Sequence, residues 1–208
     1  MMKTVIITAF EPFAGAQKNG SASALRAAAA FGGNNDCGDK INVIPLTLPV
    51  VYGRCADILE EKMKQYRPDA VLCFGQAAGR GVISVEHRAV NSASSATPDE
   101  AGVIAENEII IPDGAQTLYT ALPAEDIISA LTAVGIGAEL SESAGEYVCN
   151  YLFYRLLAFR SANGYPFAAG FIHVPAVADA AVTMPGDMIT RAAELCIKTV
   201  ARRLSTAE

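Results

Sequence analysis

Three side chains in this 208-residue sequence have the types that covalent catalysis uses: the thiol of Cys149, the imidazole of His173 and the carboxylate of Glu86. A thiolate attacks a carbonyl carbon, an imidazole takes the thiol proton and returns it to the leaving group, and a carboxylate fixes the imidazole tautomer. Each has a plainer reading. A cysteine in an apolar helix is ordinarily a small core residue, and the run SAGEYVCNYLFYRLLAF (143–159) around Cys149 reads as a buried helix. Ser143 followed by Glu146 has the spacing of a capping box, which puts the helix start just ahead of Cys149. Free amides there favour a thiolate and can receive an oxyanion, but this help fades after one turn, so the thiol still needs a base. Cys37, Cys55, Cys73 and Cys196 lack even that setting; Cys73 falls mid-strand, and Cys55 and Cys196 mid-helix.

The chain has two histidines. His173 ends the apolar run AGFIHVP, where a strand delivers side chains to a site edge, although a satisfied structural histidine fits the same place. His87 sits beside Glu86 in the strand-like ISVEHRAV. Adjacent strand residues point to opposite faces, so only one of the two can face a common site. If Glu86 points inward it can orient His173, and a buried carboxylate requires such a partner.

The elements that must position these groups alternate. Strands are expected over Thr4–Ala9, Ile41–Leu48, Ala70–Phe74, Val82–Val90 (with a bend), Ala138–Ser141 and Ala169–Val174. Helices are expected from Ser21 or Ser23 to the Gly32-Gly33 stop, and over Val51–Tyr66, Glu125–Val134, Gly145–Arg160 and Gly186–Leu204. Residues 92–103, rich in Ser, Ala, Pro and Asp, read as a loop. Apolar strands alternating with helices predict one three-layer α/β/α domain over residues 1–208, around a mainly parallel twisted sheet. Chemistry in such folds sits beyond the carboxyl ends of the strands.

Composition narrows the classes. The chain is 51% hydrophobic and 18% charged with a net charge of −6, so it offers no basic face for nucleic acid or an anionic membrane. No apolar run approaches the roughly 18 residues of a membrane span. The opening MMKTVIITAFEPF reads as a first strand rather than a signal peptide. Five scattered cysteines suit free thiols and a cytoplasmic setting, and without C-x2-C spacing no metal is expected.

Four stretches then stand out: TAFEPFAG (8–15), FGQAAGRGVISVEHRAVN (74–91), SAGEYVCNYLFY (143–154) and GFIHVP (170–175), supported by LPVVYGRC (48–55), YRPDAVLCFG (66–75) and GYPFAAGFIHVP (164–175). In order and spacing they resemble the signature segments of pyroglutamyl peptidase type I, the pyrrolidone-carboxylate peptidases, over essentially the full chain. The resemblance implies a cysteine peptidase that removes N-terminal pyroglutamate from small peptides without a cofactor, with Glu86, Cys149 and His173 in the triad positions. It places Phe10 and Phe13 on the aromatics that hold the lactam ring. Val50, Gln76, Tyr147 and Val148 fall on further pocket positions, and Asn19 and Arg80 lie in matched segments. It also implies a homo-oligomer, often a tetramer.

The chain departs from the family pattern after Glu86. Where the family usually reads E-R-[IV]-A-[IV]-N-x-x-D-A-R-I-P-D-N, Ser94, Ala96, Thr97 and Glu100 replace Asp, Arg, Ile and Asn. Ala9 and Ala14 stand at usual glycine positions. Thr97 falls on a lactam-pocket position, and the lost charge pair implies a looser loop with lower rate or selectivity. Other classes are a cysteine amidohydrolase with another substrate and an impaired binding homologue. The turn GQAAGRG is neither G-x-G-x-x-G nor a Walker loop, and no G-x-S-x-G elbow marks a serine hydrolase.

Overall fold

The apolar, β-branched runs along the chain form strands that are covered on both faces, and that sheet is the frame of the structure. The computed structural model describes residues 2–31, 41–177 and 181–206. Within them the order is β1 (Lys3–Phe10), α1 (Ala22–Phe31), β2 (Ile41–Leu48), α2 (Arg54–Tyr66), β3 (Ala70–Gln76), β4 (Ile83–Glu86) and β5 (Arg88–Val90). There follow β6 (Thr117–Tyr119), α3 (Ala124–Thr132), β7 (Ala138–Ser141), α4 (Val148–Asn163), β8 (Ala168–Val174) and α5 (Gly186–Thr206). Cys37 and the Gly32-Gly33 stop lie outside the described residues.

Six strands form one sheet in the order β2-β1-β3-β8-β4-β7. Neighbours run parallel except β4 and β8, which are antiparallel with Ser84 opposite His173 and Val85 opposite Ile172. Alternation sends Val85 and Ile172 into the core layer beneath α1, α3 and α5. The other face, bearing Cys73, Ala169 and Phe171, packs against α2 and α4. The result is a mainly parallel sheet between two helical layers.

Two expected elements differ. The 82–90 strand is two strands in two sheets, because the chain turns at His87 and β5 leaves to pair antiparallel with β6. The bend was legible, but β6, only three residues long, was not. The helix carrying Cys149 starts at Val148 rather than Gly145, and the Ser143–Glu146 capping box does not form. Gly145 takes φ +74°, a left-handed turn that interrupts any helix begun earlier, and Tyr147 is extended at φ −83°, ψ −167°. Ser143 Oγ instead accepts the Gly145 N–H at 3.2 Å.

Burial of thiols gives the fold a pH limit. Desolvation pushes Cys73 and Cys196 up to about 12, and Cys55 upward as well, from an ordinary 9.0. A raised pKa contributes stability that is complete below the unfolded value and is lost as pH climbs towards the folded one. The melting temperature should therefore fall as pH is raised from 9 to 10.5. A melting temperature that holds or rises over that interval would contradict the burial of these thiols.

Candidate active site

The sheet puts Glu86 and His173 on one face, and α4 lays Cys149 over the same face, so the three come together from three separate elements. The antiparallel pairing sets β4 beside β8 with Ser84, Glu86 and His173 on one face. Glu86 is 0% exposed and its Oε1 lies 2.7 Å from His173 Nδ1. With the carboxylate ionised, Nδ1 carries the hydrogen and donates it, which leaves Nε2 as the free acceptor. His87, one residue on, faces the other way: it is half-exposed, 2.8 Å from Glu142 and 5.2 Å, ring to ring, from Tyr119.

Cys149 arrives from above the same face. It is the second residue of α4, whose first internal bond runs from Tyr151 N–H to the Tyr147 carbonyl at 3.1 Å. Its amide thus precedes the hydrogen-bonded ladder of the helix. Gly75 pairs in register with His173, and a Cβ on Gly75 would stand 3.0 Å from Cys149 Sγ and 2.7 Å from the Phe171 ring. The sulfur rests on a strand with no side chain there, one strand over from the imidazole. Gly75→Ala is accordingly expected to displace the thiol and lower activity at least about tenfold, since misplacement by about an ångström can cost on the order of a hundredfold. An alanine variant of native rate would show that this close approach is not needed.

The electrostatics describe a neutral resting pair. Burial lowers the His173 pKa below 6.5; Glu86 opposes that shift and Arg80 adds to it. Burial raises the Cys149 thiol, helped by the charge of Glu86 and by Cys73 and countered by Arg80. Both shifts favour the neutral forms, thiol and imidazole, so the sulfur must lose its proton before it can attack. Cys55, Cys73 and Cys196 are fully buried, and among the described residues no histidine or carboxylate hydrogen-bonds to them.

The residues assigned to the pocket divide into two groups. Phe10, Val50 and Val148 are buried in the core layer under α2 and α4, with Phe13, Tyr147 and Cys149 packed against it. The Phe13 and Tyr147 rings lie 6.4 Å apart, and Tyr147 Oη donates to the Pro98 carbonyl at 2.9 Å. The polar residues are taken up by the backbone. Asn19 Nδ2 donates to the Glu11 carbonyl at 3.0 Å, while Asn19 Oδ1 accepts the Ser21 hydroxyl at 2.8 Å and amide at 3.1 Å. Gln76 Oε1 accepts the Gly20 N–H at 2.6 Å. Thr97 is exposed, and its amide donates to Ser95 Oγ at 3.0 Å.

The 92–103 segment has anchors that the missing Asp–Arg pair does not supply. Buried Asp99 accepts the amides of Tyr52, Ala101 and Val103, each at 2.9 Å. Glu100 donates its amide to the Val50 carbonyl at 3.0 Å and accepts the Ala14 amide through Oε1 at 2.8 Å. Two departures from the family pattern therefore touch: Ala14 sits at φ +52°, a conformation that favours glycine, and Glu100 holds its amide. Asp99→Ala should cost about 1–3 kcal/mol in urea denaturation and raise KM, because it removes the one carboxylate that accepts the amides of Tyr52, Ala101 and Val103. An unchanged denaturation midpoint would show that the segment is held elsewhere.

Sequence reasoning left the Arg80 contacts, the closeness of Gly75 to the sulfur and the anchoring by Asp99 unseen. The one signal for Gly75 was a glycine ending an otherwise bulky strand.

Fold and cluster together give an α/β protein with a thiol, an imidazole and a carboxylate gathered on one face of its sheet. The family model described as pyroglutamyl peptidase matches residues 3–207. A pyrrolidone-carboxylate peptidase of Pyrococcus furiosus is 39% identical over 171 residues, covering 82% of this chain and 80% of the relative. One from a Thermoanaerobacter species is 33% identical over 206 residues, covering 96% and 98%. The crystal structure of pyroglutamyl peptidase I from Bacillus amyloliquefaciens superposes with a TM-score of 0.88 at 31% identity, covering 97% of this chain and 96% of that one. The chain belongs to the pyroglutamyl peptidase family, and with it to the peptidases among the hydrolases. Among the described residues, no helix is long and apolar enough to cross a membrane.

Proposed function

We propose that this protein is a cysteine peptidase that hydrolyses the amide bond after an N-terminal pyroglutamyl residue, using Cys149, His173 and Glu86. The observation that carries the reading is the 2.7 Å contact between Glu86 and His173, beside the strand position on which the Cys149 sulfur rests.

His173 Nε2 takes the thiol proton, and Glu86 stabilises the imidazolium that results. The thiolate attacks the carbonyl that joins pyroglutamate to the next residue, and the carbonyl π pair moves to oxygen. The Cys149 amide, ahead of the first bond of α4, donates to that oxyanion. Collapse of the intermediate expels the peptide amine, which takes the proton from His173. Water, deprotonated by the same imidazole, then hydrolyses the thioester. Phe10, Phe13, Val50, Tyr147 and Val148 give the uncharged lactam an apolar pocket. Asn19 and Gln76 shape its rim through the loop they brace, and Thr97 covers it from outside. The reading extends to a reducing, cytoplasmic compartment, where free thiols persist, and to self-association, which rests on the family resemblance.

A panel of aminomethylcoumarin amides tests the substrate class. The pyroglutamyl amide should be cleaved, and the prolyl, glutaminyl and alanyl amides at least about a hundredfold more slowly, because a lactam site leaves a charged amine unpaired. Preference for another acyl group would convert the reading to a different cysteine amidohydrolase. Cleavage of none would mark a binding homologue.

A further inference from the structure

The carboxylate that orients His173 has a second cationic neighbour. Glu86 is fully buried, and an uncompensated charge there would be costly. Its Oε1 accepts from His173 Nδ1 at 2.7 Å and from Arg80 Nη1 at 2.5 Å. Through Nη2 the same guanidinium donates to the Ser143 carbonyl at 2.7 Å. Arg80 belongs to the turn between β3 and β4; Ser143 belongs to the segment that runs from β7 into α4. We propose that Arg80 is a positioning residue for the reaction: its fork ties Glu86 to the chain that delivers Cys149, and its charge sets the basicity of His173. The inference rests on the functional reading above.

The two roles separate by chemistry. A guanidinium presents rigid, divergent donors, so one group can hold a carboxylate and a carbonyl at once, which a single ammonium does poorly. The charge acts differently. The charged groups acting on His173 are Glu86 from β4 and Arg80 from the β3–β4 turn, and the Cys149 sulfur of α4 lies over Gly75, the register partner of His173 on β3. Glu86 favours the imidazolium and Arg80 disfavours it. Removing the positive charge leaves the carboxylate unopposed, so His173 should hold its proton to higher pH. It is then blocked as a base over more of the acid range, and its imidazolium is a weaker acid towards the departing amine.

Arg80→Gln and Arg80→Lys, with a pyroglutamyl aminomethylcoumarin substrate, test this. For Arg80→Gln, kcat should fall about tenfold or more, with KM within about twofold and the acid limb of kcat/KM moved to higher pH. Arg80→Lys should keep the wild-type limb and lose several-fold in kcat, because charge survives and the fork does not. An unmoved limb in Arg80→Gln, a native rate in that variant, or a lysine variant whose limb moves as far as that of glutamine would each overturn the proposal. Should the glutamine variant fail to fold, the limb and rate of the lysine variant decide. The pH dependence of Cys149 alkylation by iodoacetamide reads the same pair without any substrate. It moves with Arg80→Gln if the inference holds, even were the wild type inactive on pyroglutamyl amides, so failure of the function and failure of the inference remain distinct.

Discussion

Replacing Cys149 by alanine is expected to remove pyroglutamyl amide hydrolysis to background while leaving the melting temperature within a few degrees of wild type. The loss should reach about 10⁴-fold or more, since without the nucleophile only binding and oxyanion stabilisation remain. Stoichiometric iodoacetamide should act the same way. Labelling requires the thiolate, and although the resting thiol is raised to about 12, its sulfur lies over Gly75, the register partner of His173 on the next strand, where the proposed base can reach it. Cys55, Cys73 and Cys196 are buried to 0% exposure and should be labelled only on unfolding. Peptide mapping of the inactivated protein decides the matter: activity that survives full modification of Cys149 would end the covalent mechanism.

Glu86→Gln ranks second. The substitution keeps the volume of the side chain but replaces a charge with an amide whose nitrogen cannot accept from His173 Nδ1. The imidazolium formed during attack loses its counter-charge, and Arg80 is left as an unopposed cation 2.7 Å from the Ser143 carbonyl. Turnover should fall about 10²- to 10⁴-fold, the range of general acid–base loss up to that of a mis-set tautomer. His87→Ala, one residue away, removes a half-exposed contact to Glu142 and should change turnover less than about threefold, as surface substitutions usually do. A larger effect at His87 than at Glu86 would mean that the strand presents its opposite face in solution. The acid limb of kcat/KM should lie below the ordinary histidine value of 6.5, because burial, the largest influence on His173, disfavours its protonated form. A limb above 6.5 would show the Glu86 charge prevailing over burial.

Much of the fold was legible because its signals are local. Ala70–Gln76 and Ala168–Val174 are short runs without interior charge, long enough for a strand and buried on both faces. The alternation of strand side chains separated Glu86 from His87 before any tertiary contact was known, and the structure buries one and half-exposes the other. Where the chain was misread, a single residue overrode a longer pattern. The Ser143–Glu146 spacing is a fair helix start, but Gly145 turns left-handed inside it, and the helix begins at Val148. β6 went unseen because three residues carry too little periodicity to register.

By itself the sequence determined which groups could react, where each stands along the chain and which face each strand residue takes, since side-chain type and period-two alternation are properties of neighbouring residues. The family signature came with them, because it too is a matter of residues in order. Only the tertiary structure decided that β8 lies between β3 and β4, so that Glu86 meets a histidine 87 positions away. It also set the Cys149 sulfur on Gly75, joined Glu100 to Ala14, and brought Arg80 onto the carboxylate. These contacts follow from strand order and register, which arise from packing two helical layers on a sheet, and no local preference encodes the distance between residues so far apart in the chain.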